Sequence, residues 1–107
     1  MTVVGNWPGK GQEELVARFK EASGEPWMTQ DSISTYGDIQ LMAYALEKAG
    51  EASRSAVAET LRSLDITDGP AIYYPGGQIK FNEAGLNVGA SLVIVQWQGG
   101  VPYSVFP

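Results

Sequence analysis

The stretch SISTYGDIQLMAYALEKAG, residues 32–50, decides the fold class of this chain. Apolar side chains recur in it at three- and four-residue intervals, and Gly50 follows the last of them, which predicts a long helix that stops at this glycine. Two apolar stripes cover most of the helix circumference, so we expect neighbouring structure to cover it on several sides. The first stripe comprises Ile33, Tyr36, Ile39, Ala43 and Leu46, and the second comprises Leu41, Met42, Ala45 and Ala49.

Two shorter helices are predicted on either side of the long one. Residues 12–23 carry Glu13 and Glu14 near their start, which favour a helix start, and are followed by Gly24, which favours a helix end. They predict an amphipathic helix with one buried face. After Pro26 blocks its continuation, Thr29 or Asp31 is placed to cap the long helix. Residues 51–65 predict a third helix capped by Ser53. The inward side chains are expected to be Leu15, Val16, Phe19 and Ala22 in the first helix, and Val57, Leu61 and Leu64 in the third.

Short β-like runs lie at both ends of the chain. TVVGNWP, residues 2–8, predicts a strand that leads into a loop. After Gly69 the runs AIYY and QIKF flank a Pro-Gly-Gly turn, and ASLVIVQW predicts a strand that is covered on both faces. Two glycines then separate this strand from VPYSVF, which predicts a two-residue hairpin, and Pro102 places the last strand at a sheet edge. The overall expectation is therefore an α/β unit with three helices and a strand-rich C-terminal part.

Composition excludes several classes of function. The 107 residues suffice for one small domain, and the net charge of −5 without a basic stripe argues against nucleic-acid binding. Cysteine and histidine are both absent, which removes disulfides, thiolate chemistry and the commonest general base. Charged residues make up 18% against about 25% in ordinary domains, so part of the surface is expected to be covered by something else. We find neither a signal peptide nor an apolar run long enough to cross a membrane.

Two glycine-marked segments invite a functional interpretation that their spacing does not support. GNWPGKGQEE, residues 5–14, has a strand, glycines and a helix, but its glycines do not match a phosphate-binding loop or a dinucleotide fingerprint. FNEAGLN, residues 81–87, lacks the alternating ligands of a calcium loop, so we interpret it as a corner in which Asn82 forms an Asx-turn and Gly85 takes a positive φ. The paired carboxylates Glu13–Glu14 and Asp65–Asp68 suit a helix start and a loop, respectively.

The candidate ligand site lies around the start of the long helix. Trp27, Asp31, Ser34 and Tyr36 cluster just before and inside it, and small-ligand sites often lie where polar and aromatic side chains meet an element boundary. The alternative interpretation is structural. In that case Asp31 is a helix cap, Ser34 is solvated and Tyr36 belongs to the core.

Several segments in order resemble the C-terminal portion of type I periplasmic binding proteins of the branched-chain amino-acid ABC-transporter class. The resemblance covers essentially the whole chain. It comprises a Tyr-Asp-Ala-like helix start at residues 36–38, an Ala-Gly helix end at 49–50, an Ala-x-x-Leu-Arg-like run at 58–62, a Gly-x-Ile-x-Phe-Asn-x-x-Gly-like hairpin at 77–85, and a Val-x-Gln-Trp-like strand with a glycine turn at 95–100. The chain departs from the family at Gly37, where a bulkier residue is usual.

The resemblance implies a binding protein and not an enzyme. Residues 1–107 would be a single domain or a fragment of a two-lobe receptor that closes on a small molecule, such as an amino acid, and delivers it to a membrane permease. It further implies a periplasmic or extracytoplasmic parent, no cofactor and no metal, and a ligand contact at Asp31 and its neighbours Trp27, Ser34 and Tyr36. As an isolated fragment the chain is expected to form a homo-oligomer. Two alternatives stay open: a ligand-sensing domain of a signalling receptor with the same fold, and an independent small α/β enzyme.

Overall fold

The protein is described by a computed structural model that covers residues 1–106. It combines three α-helices with antiparallel strands, which confirms the predicted α/β class. Pro107 lies outside the described residues. In chain order the elements are β1 (Thr2–Val4), α1 (Glu13–Ser23), α2 (Gln30–Ala49), α3 (Arg54–Arg62), β2 (Asp65–Ile66), a 3₁₀ helix (Gly69–Tyr73), β3 (Ile79–Lys80), β4 (Val93–Gln98) and β5 (Val101–Phe106).

Hydroxyl side chains cap the N-termini of two helices, as predicted. Thr29 caps α2, since its side chain accepts a hydrogen bond of 3.4 Å from the backbone N–H of Ser32. Ser53 caps α3 in the same way, at 3.4 Å from the N–H of Ala56. Thr29 therefore fills the role that the sequence left open between Thr29 and Asp31, and the Asp31 carboxylate is not the cap of this helix.

Glycines end the first two helices, also as predicted. Gly24 and Gly50 have φ values of 74° and 72°, in the left-handed region that favours glycine, and each donates its N–H back to the last turn. At its other end α1 begins at Glu13, one residue later than the sequence predicts, and Gln12 precedes it without a side-chain cap hydrogen bond.

Strand β4 is the centre of a three-stranded antiparallel sheet in the order β1-β4-β5. Thr2 pairs with Val95 on one side, and Gln98 pairs with Val101 on the other. The intervening Gly99 and Gly100 have φ values of 59° and 81°, as expected for the two-residue hairpin. Within residues 1–106, β5 pairs only with β4, so Pro102 lies on an edge strand as predicted. The second sheet is the small antiparallel pair of β2 and β3.

The main apolar cluster lies between α2, α3 and the small sheet. Leu64, Ile66, Ala71 and Ile79 are buried in it, and larger side chains including Leu41 and Tyr44 pack around them. Leu64 and Val57 are buried and Leu61 is half-buried, which confirms the inward face predicted for α3. The run AIYY belongs mostly to the 3₁₀ helix and not to a β-like run. Pro70 near its start favours this tight turn, and Ala71 is fully buried in it.

Three apolar faces are more open than their patterns predict. No residue of α1, which lies wholly within residues 1–106, is fully buried, so the buried face expected there is only half-buried. On α2, Ile39, Met42 and Leu46 are exposed, although the pattern predicts cover on several sides. β4 buries Val93 and Val95 on one face only, so the prediction of cover on both faces is wrong for this chain. Periodicity shows which faces are apolar, but it does not show what is present to cover them.

The dimensions of the chain agree with these open faces. The described residues span 47 × 29 × 18 Å with a radius of gyration of 15.1 Å, whereas a compact chain of this length has about 13 Å. A layer 18 Å thick is too thin to bury both faces of every element. No helix within residues 1–106 has the length and apolar character needed to span a membrane.

The segment 81–87 is a corner, as its sequence predicts. Phe81 and Asn87 form a single antiparallel bridge across it, and Gly85 has a φ of 79°. Asn82 accepts a 3.0 Å hydrogen bond from the N–H of Leu86, four residues on, which is a wider loop than the predicted Asx-turn. The Asn87 amide bonds three backbone groups, from Gln78, Lys80 and Gly89, so it holds the chain together at this corner.

Candidate ligand site

A cavity of about 220 Å³ opens between the loop after β1 and the 3₁₀ helix. Its walls carry amides, a lysine and tyrosines from segments that are far apart in sequence. We call it the polar cavity. Its lining residues include Asn6, Trp7, Lys10, Gln12, Tyr73 and Tyr74, with Val93 and Ser104 from the sheet.

Asn6 joins the two walls of the polar cavity to helix α2. It is only 5% exposed, and its Nδ2 donates to Ser34 Oγ at 3.2 Å and to the carbonyl of Tyr73 at 2.9 Å. A buried amide with satisfied donors fixes the position of the segments that it bridges, because breaking either bond leaves a polar group without a partner. Asn6 therefore sets the distance between the loop, α2 and the 3₁₀ helix.

Gln12 supplies a hydrogen-bond acceptor at the polar cavity. Its Nε2 donates to the carbonyl of Ile72 at 2.7 Å, which orients the amide. Its Oε1 is buried and accepts no hydrogen bond from the part of the chain that the structure describes. A buried acceptor in such a position is usually paired with water or a ligand. Gln12 thus leaves one buried oxygen without a partner among the described residues, beside the polar cavity.

Tyr74 closes the polar cavity against α2. Its hydroxyl donates to Asp38, and burial first, then this hydrogen bond and the charge of Asp38, raise the pKa of Tyr74 above its ordinary value of 10.0. Gly37 makes room for this contact, since a Cβ at that position would lie 3.1 Å from Tyr73 Cβ and from Tyr74 Cζ. The departure from the family pattern at Gly37 thus coincides with two tyrosines packed against the helix backbone.

A second concavity lies on the other side of α2, between α1 and α2. We call it the apolar groove. It has a volume of about 480 Å³, it is widely open, and Asp31 is the one charged side chain among its described lining residues. The other lining residues are Phe19, Met28, Ser32, Thr35, Tyr36 and Ile39. A carboxylate at the edge of an apolar surface can accept hydrogen bonds from an ammonium group while the surface contacts a carbon chain.

The structure brings together two of the four site residues predicted from sequence. Asp31 and Tyr36 both line the apolar groove. Trp27 instead packs edge-to-face against Trp97 of β4, with ring centroids 5.2 Å apart. Ser34 lies on the side of α2 that faces the loop after β1 and accepts from Asn6. Tyr36 also contacts Tyr73 edge-to-face at 5.0 Å, so it connects the apolar groove with a wall of the polar cavity.

The remaining polar candidates have local structural partners. Asp65 pairs with Lys80 at 2.6 Å across β2 and β3, and this hydrogen bond, followed by one from Gln78, lowers the pKa of Asp65. At the start of α1, hydrogen bonds from the backbone N–H groups of Glu13 and Gly11 lower the pKa of Glu13. The Glu13 carboxylate thus occupies the start of α1, where a phosphate-binding loop would hold a phosphate. No group of three potential metal ligands occurs within residues 1–106.

Sequence reasoning missed the residues of the polar cavity. Asn6, Lys10 and Gln12 lie in the segment 5–14, whose spacing does not match a phosphate-binding loop, and Tyr73 and Tyr74 lie in a run that was predicted to be β-like. The available signal was the concentration of amide and lysine side chains in a loop directly after a strand. Only the fold shows that this loop faces the two tyrosines.

The chain belongs to the periplasmic binding protein family, whose sequence profile matches residues 2–101. This confirms the resemblance noted in the sequence, and the family is one of binding proteins.

Curated relatives include the "Leu/Ile/Val-binding protein homolog 7" of Brucella suis biovar 1 (strain 1330), which is 31% identical over 97 residues. The proteins of the same name from Brucella abortus (strain 2308) and Brucella melitensis biotype 1 are also 31% identical. Each alignment covers 91% of this chain and 24% of the relative, so the chain spans about a quarter of the length of the relatives it matches. No solved structure matches the chain significantly.

Proposed function

We propose that this chain is a segment of the solute-binding component of an ABC transporter. Its complete protein captures an amino acid or a similar small molecule outside the cytoplasmic membrane and delivers it to a membrane permease. The membership of residues 2–101 in the periplasmic binding protein family carries this proposal. The names of the Brucella relatives, which refer to leucine, isoleucine and valine, favour amino-acid ligands.

Helix α2 supplies the ligand contacts in this proposal. The apolar groove at its start suits the side chain of an aliphatic amino acid, and Asp31 suits the ammonium group. Both of these are open to solvent in this chain. High affinity needs a ligand buried between preorganised surfaces, so the missing cover comes from the other part of a two-lobe protein.

A segment exchange tests the proposal. The aligned 97 residues of the Brucella suis relative are replaced by this chain, and calorimetry measures the affinity of the product for the twenty amino acids. We expect binding of at least one aliphatic amino acid by the folded hybrid, and no measurable binding by the 107-residue chain alone. A hybrid with native-like circular dichroism that binds no member of the panel contradicts the proposal.

Two controls make the result specific. The unaltered Brucella protein shows that the assay detects a ligand, and the hybrid with Asp31→Asn tests the carboxylate. Micromolar binding by the isolated 107-residue chain would overturn the idea that a second lobe is required.

A further inference from the structure

The apolar groove adjoins a further concavity between α1 and α2, which we call the arginine pocket. The arginine pocket has a volume of about 250 Å³ and is lined by Leu15, Arg18, Phe19, Ala22, Met28 and Tyr36. Phe19, Met28 and Tyr36 also line the apolar groove. The two concavities are therefore neighbours that share an apolar lining, in which Met28 is only 3% exposed.

Charges of opposite sign stand in the two concavities. Arg18 is the one charged side chain among the described lining residues of the arginine pocket, as Asp31 is in the apolar groove. Both residues are exposed, and neither forms an ion pair within residues 1–106, where Lys80 pairs with Asp65. The guanidinium donors of Arg18 and the carboxylate acceptors of Asp31 are therefore available to a ligand.

The positive charge of Arg18 acts close to the shared lining. Burial first, and then the neighbouring Tyr36, raise the pKa of Tyr73, whereas the charge of Arg18 acts on the same hydroxyl in the opposite direction. The ring of Tyr73 is in edge-to-face contact with that of Tyr36, at 5.0 Å between centroids. Arg18 thus lies near Tyr36, while Asp31 lies in the first turn of α2.

We propose that Arg18 binds the carboxylate of the amino acid whose ammonium group is bound by Asp31. This inference rests on the proposed function and deepens it, because the apolar groove and Asp31 leave the carboxylate of the ligand without a partner. A guanidinium group donates two parallel hydrogen bonds to a carboxylate, and the shared apolar lining suits the aliphatic part of the ligand. An exposed ion pair contributes little, so this contact gains strength when the rest of the receptor covers it.

The test compares amino acids with their amides in the hybrid receptor. L-Leucine, L-isoleucine and L-valine carry the carboxylate, whereas their primary amides keep only the ammonium group and the side chain. Displacement of the radiolabelled amino acid measures weak and strong binding alike. We expect Arg18→Gln to weaken binding of the amino acids about tenfold or more, and that of the amides by no more than about threefold, because the amides lack the charge that pairs with Arg18. Arg18→Lys keeps the positive charge and should recover part of the loss.

Lys20→Gln is the matched control, because it removes the same charge from an exposed position of α1 outside both concavities. It should leave the affinities unchanged. Unchanged amino-acid binding in Arg18→Gln, equal losses for amino acids and amides, or an equal loss in Lys20→Gln would each overturn this inference and leave the proposed function intact. A folded hybrid that binds none of the three amino acids contradicts the proposed function, and this inference with it. Circular dichroism shows whether each variant remains folded.

Discussion

The side chain of Asn6 donates a hydrogen bond of 3.2 Å to Ser34 Oγ, across 28 positions of sequence. The same Nδ2 donates to the carbonyl of Tyr73 at 2.9 Å, which is 67 positions away. One buried amide thus ties the loop after β1 to α2 and to the 3₁₀ helix. The polar cavity depends on this arrangement, since the loop and the 3₁₀ helix that Asn6 bridges form its walls.

The first prediction concerns this amide. Asn6→Ala should lower the free energy of unfolding by about 1–3 kcal/mol, because it leaves the Tyr73 carbonyl and the Ser34 hydroxyl without their donor. Ser34→Ala removes only one of the two bonds and should cost less, about 1 kcal/mol. Urea unfolding measures both. Equal costs for the two variants would mean that the bond to Tyr73 contributes nothing.

The second prediction concerns Gly37, which is buried in the middle of α2. Alanine is better than glycine in a helix by about 1 kcal/mol, but here its Cβ would lie 3.1 Å from Tyr73 Cβ and Tyr74 Cζ. Overpacking of this kind costs about 1–3 kcal/mol, so Gly37→Ala should be destabilising by about 1 kcal/mol on balance. Thr35→Ala, on an exposed position of the same helix, should be neutral or slightly stabilising. A stabilised Gly37→Ala variant in urea unfolding would show that the tyrosines can move aside.

The third prediction concerns alkaline pH. The pKa of Tyr74 is raised in the folded chain above its ordinary value of 10.0, so the folded state holds this proton more tightly than the unfolded state. The corresponding stability is fully present below pH 10 and is lost as the pH rises past about 10. Tyr74→Phe should cost about 1 kcal/mol near neutral pH, and the difference from the native chain should shrink above pH 10.

Asp38→Asn serves as a control for this pH dependence. It removes the negative charge that disfavours tyrosinate while it keeps an acceptor for the Tyr74 hydroxyl. We expect a shallower loss of stability above pH 10 than in the native chain. Chemical unfolding at several pH values measures this, and parallel curves for the native chain and Tyr74→Phe would contradict the assignment.

The fourth prediction separates ligand binding from helix capping. Thr29→Ala should destabilise the chain by about 1 kcal/mol because Thr29 caps α2. Asp31→Asn should leave stability nearly unchanged, since Asp31 does not cap this helix, and it should weaken amino-acid binding by the hybrid receptor about tenfold or more. Calorimetry and thermal unfolding on the same samples measure both quantities. Unchanged affinity in the Asp31→Asn hybrid would remove Asp31 from the ligand site.

The fifth prediction concerns the hairpin between β4 and β5. Gly99 and Gly100 both have positive φ, and asparagine tolerates this conformation at the first position of such a turn. Gly99→Asn should therefore be neutral or slightly stabilising, whereas Gly99→Val should cost about 1–2 kcal/mol because a β-branched side chain is strained there. Thermal unfolding distinguishes the two. Similar losses for both variants would mean that the turn needs glycine for a reason other than its φ.

The sequence by itself determined the elements whose causes are local. Caps at Thr29 and Ser53, glycine stops at Gly24 and Gly50, and the Gly99–Gly100 hairpin all depend on a few neighbouring residues and their backbone preferences. The apolar periodicity of α2 follows from the same local geometry. The order of these motifs also identified the family, because a fold is specified by such elements in sequence.

The tertiary structure alone decided which surfaces meet. Asn6 and Tyr73 face each other only because β1 pairs with β4 and the 3₁₀ helix packs on α2, and no local pattern encodes a contact across 67 positions. The same limit explains why the sequence predicted cover for α2 and β4 that these described residues do not provide. An apolar pattern predicts that a face is buried, because exposing apolar side chains to water is unfavourable. Which other surface covers that face depends on the packing of the whole molecule.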